Sequence, residues 1–244
     1  MNYTKQFTYI LIVVCLIILP GCQNGCLKGQ GKTISQTRSI DSFSALEVDG
    51  WVDVVLEQGS APEVEVISGK NLIGNIRTEV NAESGKLMIT NNNKCHWSRG
   101  GSQPTVRVKY QTLAQIDHLG FGNILSVDTL RNANLLVNIK GNGNVKLLVN
   151  VTNFSCTMLE LGDLEVHGKS ERSNLFSHNV GFFKGKNFVT THCTARTRDE
   201  GQFEVTVLDS LVATVESTGD IIYYGNPSYV KSNVTGPGRV VAGK

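Results

Sequence analysis

From about residue 120 onward, apolar side chains recur two positions apart in short runs, and a glycine marks the place of each run. The marks are Gly122, Gly143, Gly162, Gly181, Gly201, Gly219 and Gly238, and counting from each to the next gives 21, 19, 19, 20, 18 and 19. Two residues after them stand Ile124, Val145, Leu164, Phe183, Phe203, Ile221 and Val240. Eight, six and four residues before a glycine lie three more apolar columns, for example Leu135, Val137 and Ile139, then Phe154, Cys156 and Met158. A step of two is the signature of strands with alternate side chains inward. A period near 20 with no helical pattern predicts a solenoid, here a right-handed parallel β-helix with two short strands per coil. A single coil cannot bury its apolar columns, so its neighbours complete the core.

The glycines are expected to serve sharp corners at positive φ, which only glycine adopts cheaply. The next residue is Asn123, Asn144, Asp163, Gln202 or Asp220 in five of the seven coils, suited to hydrogen bonding along the stack. Asp163 and Asp220 as calcium ligands are ruled out by spacing: three coils put them about 14 Å apart. The pattern breaks at Phe182-Phe183 and Lys184-Gly185-Lys186. Arg196, Arg198, Asp199 and Glu200 crowd the following corner, a solvated charged turn in preference to a bulge or a binding spot.

Residues 1–21 read as a lipoprotein signal peptide. Lys5 precedes an apolar run at 9–19, too short for an ordinary membrane span. Leu19-Pro20-Gly21-Cys22 resembles a lipobox with Cys22 as the lipidated residue. The alternative is ordinary signal peptidase cleavage, with Cys22 incidental. Acyl chains on Cys22 would hold the mature chain to a membrane without a spanning helix. Gln23 after the cysteine points to the outer membrane of the cell envelope. Residues 22–40 are polar and predict a flexible tether.

Composition narrows the partners. A formal charge of +2 with no basic stretch argues against nucleic acid. Only 18% of residues are charged and 25 are glycine, which suits an all-β chain with tight turns. Beyond Cys15 and Cys22 four cysteines remain. Cys156 and Cys193 lie two coils apart, roughly 9–10 Å, too far for a disulfide, and predict buried thiols. Cys26 and Cys95 could pair. Cys95-His96 lacks a second ligand pair, so no metal is expected, and no cofactor is implied.

The domain is expected to run from 41 to 244, with a less regular segment at 41–119 and regular coils at 120–244. In the less regular segment residues 43–48, 50–59, 63–66, 86–90 and 105–110 read as strands, and 71–76 as a helical turn. The order of residues 43–59, 86–90 and 106–110 before Ile116, followed by repeated Gly-Asn/Asp-apolar corners, resembles the bacterial head GIN domain family, labelled auto-transporter adhesins. The resemblance implies a β-helical fold shaped like pectin lyases, often on a lipoprotein, with adhesion as the working function and no catalytic residues to carry across. Phe182 and Arg239 depart from the polar corner position.

Residues 91–103 form the most loop-like insert and hold His96, Trp97 and Arg99. An exposed Trp beside Arg can stack on a sugar ring or a partner side chain. The plainer reading folds that Trp back onto the body. The expected function is a non-catalytic cell-envelope lipoprotein presenting a β-helical surface as an adhesin, its partners a glycan or an envelope protein. The alternatives are a polysaccharide lyase or hydrolase of pectin-lyase-like shape, and an envelope scaffold or signalling partner. For an enzyme the candidate carboxylates are Asp117, Asp128, Glu160, Asp163 and Glu165. They do not recur in one column of adjacent coils, as converging acid and base groups would.

Overall fold

The computed structural model describes residues 29–93, 103–178 and 180–244. The expected signal peptide, Cys22, Cys26, Cys95 and the insert residues His96, Trp97 and Arg99 lie outside the described residues.

The chain is an all-β parallel solenoid in which each coil stacks on the one before it in register. Its regular region is built from β8 (Gln115–His118), β9 (Ile124–Ile139), β10 (Val145–Met158), β11 (Leu164–Ser177), β12 (Phe183–Thr197), β13 (Phe203–Val215), β14 (Ile221–Tyr224), β15 (Tyr229–Val234) and β16 (Val240–Ala242). The five strands β9 to β13 are longer than the two short strands per coil that the pattern suggests. Each runs 13 to 16 residues, along one wall and around a bend onto the other. Ladder pairing carries through the bend: Val149 pairs with Gly168, Val151 with Ser170 and Asn153 with Arg172. A coil therefore has two walls, a hydrogen-bonded bend at one edge and a glycine corner at the other.

Two further rungs extend the walls at the N-terminal end. β2 (Ala45–Asp49) and β3 (Asp53–Gln58) pair in parallel with β8 and β9. The chain then leaves the stack. β6 (Lys86–Asn91) and β7 (Thr105–Tyr110) return in parallel on the outer side of β2 and β3. Antiparallel strands finish this end: β5 (Ile76–Asn81) on β6, then β4 (Glu63–Gly69) on β7 and β1 (Thr33–Ser39) on β4. The helical turn expected at 71–76 is a 3-10 turn at Ile73–Asn75. β1 corrects the tether at 22–40, because residues 33–39 belong to the fold. Arg38 fastens β1 by donating to the Ile76 carbonyl at 2.7 Å and to the Thr78 hydroxyl at 3.0 Å.

The expected inward columns are the core. Ile124, Val145, Leu164, Phe183, Phe203 and Ile221 are buried in one, and Leu135, Phe154 and Leu211 in another. Each adds roughly 1.5–3 kcal/mol, and a one-residue slip would expose a whole column. The irregularity at Phe182-Phe183 has a packing cause. Phe183 points inward, against Phe188 and Phe203 at centroid distances of 6.2 and 5.7 Å, and Phe154 meets Phe188 at 5.0 Å. A Cβ on Gly185 would come within 2.4 Å of the Phe183 ring, so glycine leaves room for it. The added bulk coincides with a bulge in β12, whose register on β13 slips between Gly185 and Val189.

Cys156 faces Leu175, which faces Ala195, so Cys156 and Cys193 are two coils apart, as their spacing indicates. Both are free and buried. Burial pushes each thiol up to about 12, which keeps it in its unreactive form at neutral pH.

The corner glycines correct the sequence expectation. None of the seven has positive φ. The constraint is steric: a Cβ would lie 1.9 Å from the Val52 carbonyl oxygen at Gly122, 1.9 Å from that of Gly122 at Gly143, and 2.3 Å from that of Gly143 at Gly162. The same ladder continues at Gly181, Gly219 and Gly238. Each corner sits on the backbone of the corner beneath it.

Candidate functional site

Beside the glycines runs a second ladder, made by the polar corner residues. Asn144 N–H donates to Asn123 Oδ1 at 3.0 Å, Asp163 N–H to Asn144 Oδ1 at 3.0 Å, and Phe182 N–H to Asp163 Oδ1 at 2.9 Å. It begins one coil earlier than the repeat suggests, because Asn123 N–H donates to Asp53 Oδ1 at 2.8 Å. It is interrupted at Phe182, whose phenyl group cannot accept, and resumes where Arg239 N–H donates to Asp220 Oδ1 at 2.8 Å. These side chains tie coil to coil and are committed to structure.

The insert holding His96, Trp97 and Arg99 follows β6 in sequence, and the described residues on either side of it lie at this same edge. Its described flanks are fixed there: Asn91 Nδ2 donates to the Trp51 carbonyl at 2.5 Å, and Gln103 Nε2 to Asp53 Oδ1 at 3.1 Å. Close by, Trp51 and Phe121 stack with centroids 5.1 Å apart, and both are exposed. Leu161, Val180 and Phe182 continue an exposed apolar line along the corners.

The five candidate carboxylates do not converge. Asp117, on the outside of β8, accepts from Lys86 Nζ at 2.6 Å, from Asn138 Nδ2 at 2.8 Å and from Gln115 Nε2 at 2.8 Å. Burial pushes Asp117 up, but these hydrogen bonds and the Lys86 charge outweigh it and hold it below the usual range. Asp128 Oδ2 accepts from the Gln58 N–H at 3.1 Å. Asp163 belongs to the corner ladder and also binds Lys184 Nζ at 2.6 Å. Glu165 is bridged to Lys146 at 2.7 Å and His167 at 2.6 Å, and those bonds hold it low. Glu160 is exposed at a corner. Among the described residues no cluster of three or more His, Cys, Asp or Glu could hold a metal ion.

Sequence reasoning missed His118, which is wholly buried at the first glycine corner. Its Nε2–H donates to the Gly122 carbonyl at 2.6 Å, and its Nδ1 is buried with no partner. Thr197 does the same at a later corner, donating to the Gly201 carbonyl at 3.3 Å. Burial holds the His118 ring below its ordinary 6.5, with the Gly122 bond and Asp49 acting weakly the other way. A depressed histidine contributes stability that is complete above pH 6.5. That stability is lost as pH falls from there through the folded value, because the unfolded chain takes up a proton first. Between pH 7 and 5 the wild type is expected to lose stability that His118→Met, which places an apolar side chain in that column as Met158 does, keeps. Urea unfolding at the two pH values measures it, and equal losses in both proteins would remove His118 as the cause.

The two walls differ in charge. Outward positions of β10 to β16 on the wall that begins each coil's exit from the corner carry Lys146, Lys184, Lys186 and Arg239 against Asp163, Glu165, Glu204 and Asp220. That wall is balanced and largely paired with itself. The other wall, from the second half of β9 to β15, carries Lys140, Arg172, Arg196, Arg198 and Lys231. Glu216 faces Arg196 and Arg198, Glu171 pairs with Arg172, and Asp199 and Asp209 stand at the edges of the wall beside His178 and His192. Arg196 lies near the end of β12 and Arg198, exposed, in the bend that follows it, as expected of a solvated turn, and both bind Glu216.

The family model described as "Putative auto-transporter adhesin, head GIN domain" matches residues 42–227. The chain belongs to the head GIN domain family. Solved structures similar to this head GIN chain include a "putative adhesin" from Bacteroides fragilis, with a TM-score of 0.78 at 19% identity, covering 86% of this chain and 97% of that one. A "putative lipid binding protein" from Parabacteroides distasonis has a TM-score of 0.70 at 20% identity, covering 88% and 98%. A "putative adhesin" from Parabacteroides merdae has a TM-score of 0.65 at 21% identity, again covering 88% and 98%. At these identities the likeness establishes the shared solenoid fold of the head GIN domain. No curated protein matches the chain.

Proposed function

We propose that this head GIN protein is a non-catalytic lipoprotein of the outer membrane, tethered through Cys22, that presents its solenoid walls to ligands as an adhesin. The family and its adhesin-like neighbours support a protein of the cell envelope or surface. The observation that carries the non-catalytic reading is the engagement of the carboxylates. Asp117, Asp128, Asp163 and Glu165 each hold a partner within the fold, on different strands and faces. A hydrolase or lyase needs acid and base groups that converge on one substrate position. The anchor rests on the lipobox-like run at 19–22.

The test has two arms. Cys22→Ala is expected to move the protein from the membrane fraction to the soluble fraction, and retention in the membrane would overturn the lipid anchor. Incubation with a panel of uronic acid polymers and neutral glycans is expected to give no product, and turnover of any of them would overturn the non-catalytic reading.

A further inference from the structure

We infer that the cationic wall is a binding face for an acidic polysaccharide, with Arg196 and Arg198 at its centre. The inference rests on the surface-presentation reading for such a polymer being within reach.

Two guanidinium groups are held in place on this wall. Arg196 and Arg198 lie over the half-buried Phe176 ring, 6.0 and 5.7 Å from its centroid. Glu216 takes their inner edges: Arg196 Nε donates to Oε1 at 2.7 Å and Arg198 Nε to Oε2 at 2.9 Å. A second nitrogen of Arg196 also meets Oε1. One carboxylate thus orients two cations, and a positive charge is left over. The terminal nitrogens of Arg198 have no protein partner among the described residues. Guanidinium groups fixed in this way are suited to fork a carboxylate or a sulfate.

The surroundings favour an extended sugar polymer. From Lys140 beside β9 to Lys231 on β15 the wall crosses five strand steps. At the usual interstrand spacing that is roughly 24 Å. Between the cations the outward residues are mostly short and polar. Asn153, Ser155, Asn174 and Thr194, with Arg172, line a depression of about 300 Å³. Amides and hydroxyls on a flat sheet match the hydroxyl groups of a glycan chain. A protein partner would call for a cluster of large aromatic anchors, whereas the exposed apolar side chain beside Thr194 at the centre of this wall is the small Val212. A single-stranded nucleic acid would call for open aromatic rings on which bases stack, and Phe176 is covered by the two guanidinium groups. Arg172 also pairs with its neighbour Glu171 at 2.7 Å, so Arg196 and Arg198 are expected to carry most of the affinity.

The experiment measures binding of the purified full chain to heparin as the sulfated polymer, polygalacturonate as the carboxylated one, neutral dextran, and polyuridylate as a non-sugar polyanion. Binding to at least one acidic glycan, and none to dextran, is expected, with the tighter arm identifying the acid group. Arg196→Gln with Arg198→Gln is expected to weaken it at least tenfold, and Glu216→Gln to strengthen it. Lys146→Gln with Lys184→Gln on the opposite wall is expected to leave it within twofold. If the arginine variant fails to fold, Lys140→Gln with Lys231→Gln replaces it, with a loss of at least threefold expected. No binding to either acidic glycan, equal loss from the opposite wall, or polyuridylate binding as tightly as the better glycan would overturn the inference. Cell attachment that survives the arginine change counts against this face and leaves surface presentation intact. A protein that binds the glycan in solution but is never exposed on cells does the reverse.

Discussion

Gly143→Ala is expected to destabilise the protein by about 4 kcal/mol or more, beyond the usual range of roughly 1–3 kcal/mol for an overpacked core. The added methyl would stand 1.9 Å from the Gly122 carbonyl oxygen and 2.9 Å from His118 Nε2. A flexible side chain could swing away from such a contact, but here the nearest atom is backbone. That backbone is pinned on both sides, by Asn142 N–H on the Gly120 carbonyl at 2.9 Å and Ile124 N–H on the Asn144 carbonyl at 2.9 Å. Relief requires the coils to part locally, which breaks both ladders at the corner. Gly74→Ala is the control, because a Cβ there meets nothing within 4 Å. Its effect is expected to stay within about 0.5 kcal/mol. Urea unfolding followed by circular dichroism gives both numbers. A loss below about 1 kcal/mol for Gly143→Ala would contradict the steric account of the corners.

The second large effect is expected at Phe183. Its ring is wholly buried, packs against Phe188 and Phe203, and fills the space left by the missing side chain of Gly185. Phe183→Ala therefore empties more than one inward position, and a cost of about 3–5 kcal/mol is expected. Phe182, its neighbour in sequence, points the other way and is 43% exposed. Phe182→Ala is expected to change stability by no more than about 0.5 kcal/mol. The same unfolding experiment decides between the two fates, and equal costs would mean the inward and outward faces of β12 had been misassigned.

Much of the regular stack is legible in the sequence, because one coil repeats the chemistry of the last. Ile124, Val145 and Leu164 fall into register simply by counting from the glycines. Counting shows where a glycine is kept but not what excludes a side chain there, which is why positive φ is the natural expectation and backbone contact the finding. Asp53 escapes the corner ladder because 70 positions separate it from Asn123, so no local period connects them. β1 escapes because its partner β4 runs antiparallel to it, and residues 33–39 carry little apolar alternation of their own. The cationic wall is hidden for another reason. Phe176, Arg196 and Glu216 stand on successive rungs, a full coil apart in sequence, and only stacking turns those intervals into contacts.

The excursion of the chain between β3 and β8 bears on how the molecule assembles. Coils beyond Gly122 close by joining partners one repeat apart, such as Val145 and Leu164, whereas Leu46 meets Ile116 across several times that length. Closing the longer loop costs about 1 kcal/mol more in entropy. Nucleation is thus expected among the glycine-cornered coils, with the N-terminal rungs docking on a seed already formed. Synthesis runs in the opposite order. β2 and β3 leave the ribosome well before the strands that shelter them, so the nascent chain must carry two open, apolar ribbons until its middle has been made.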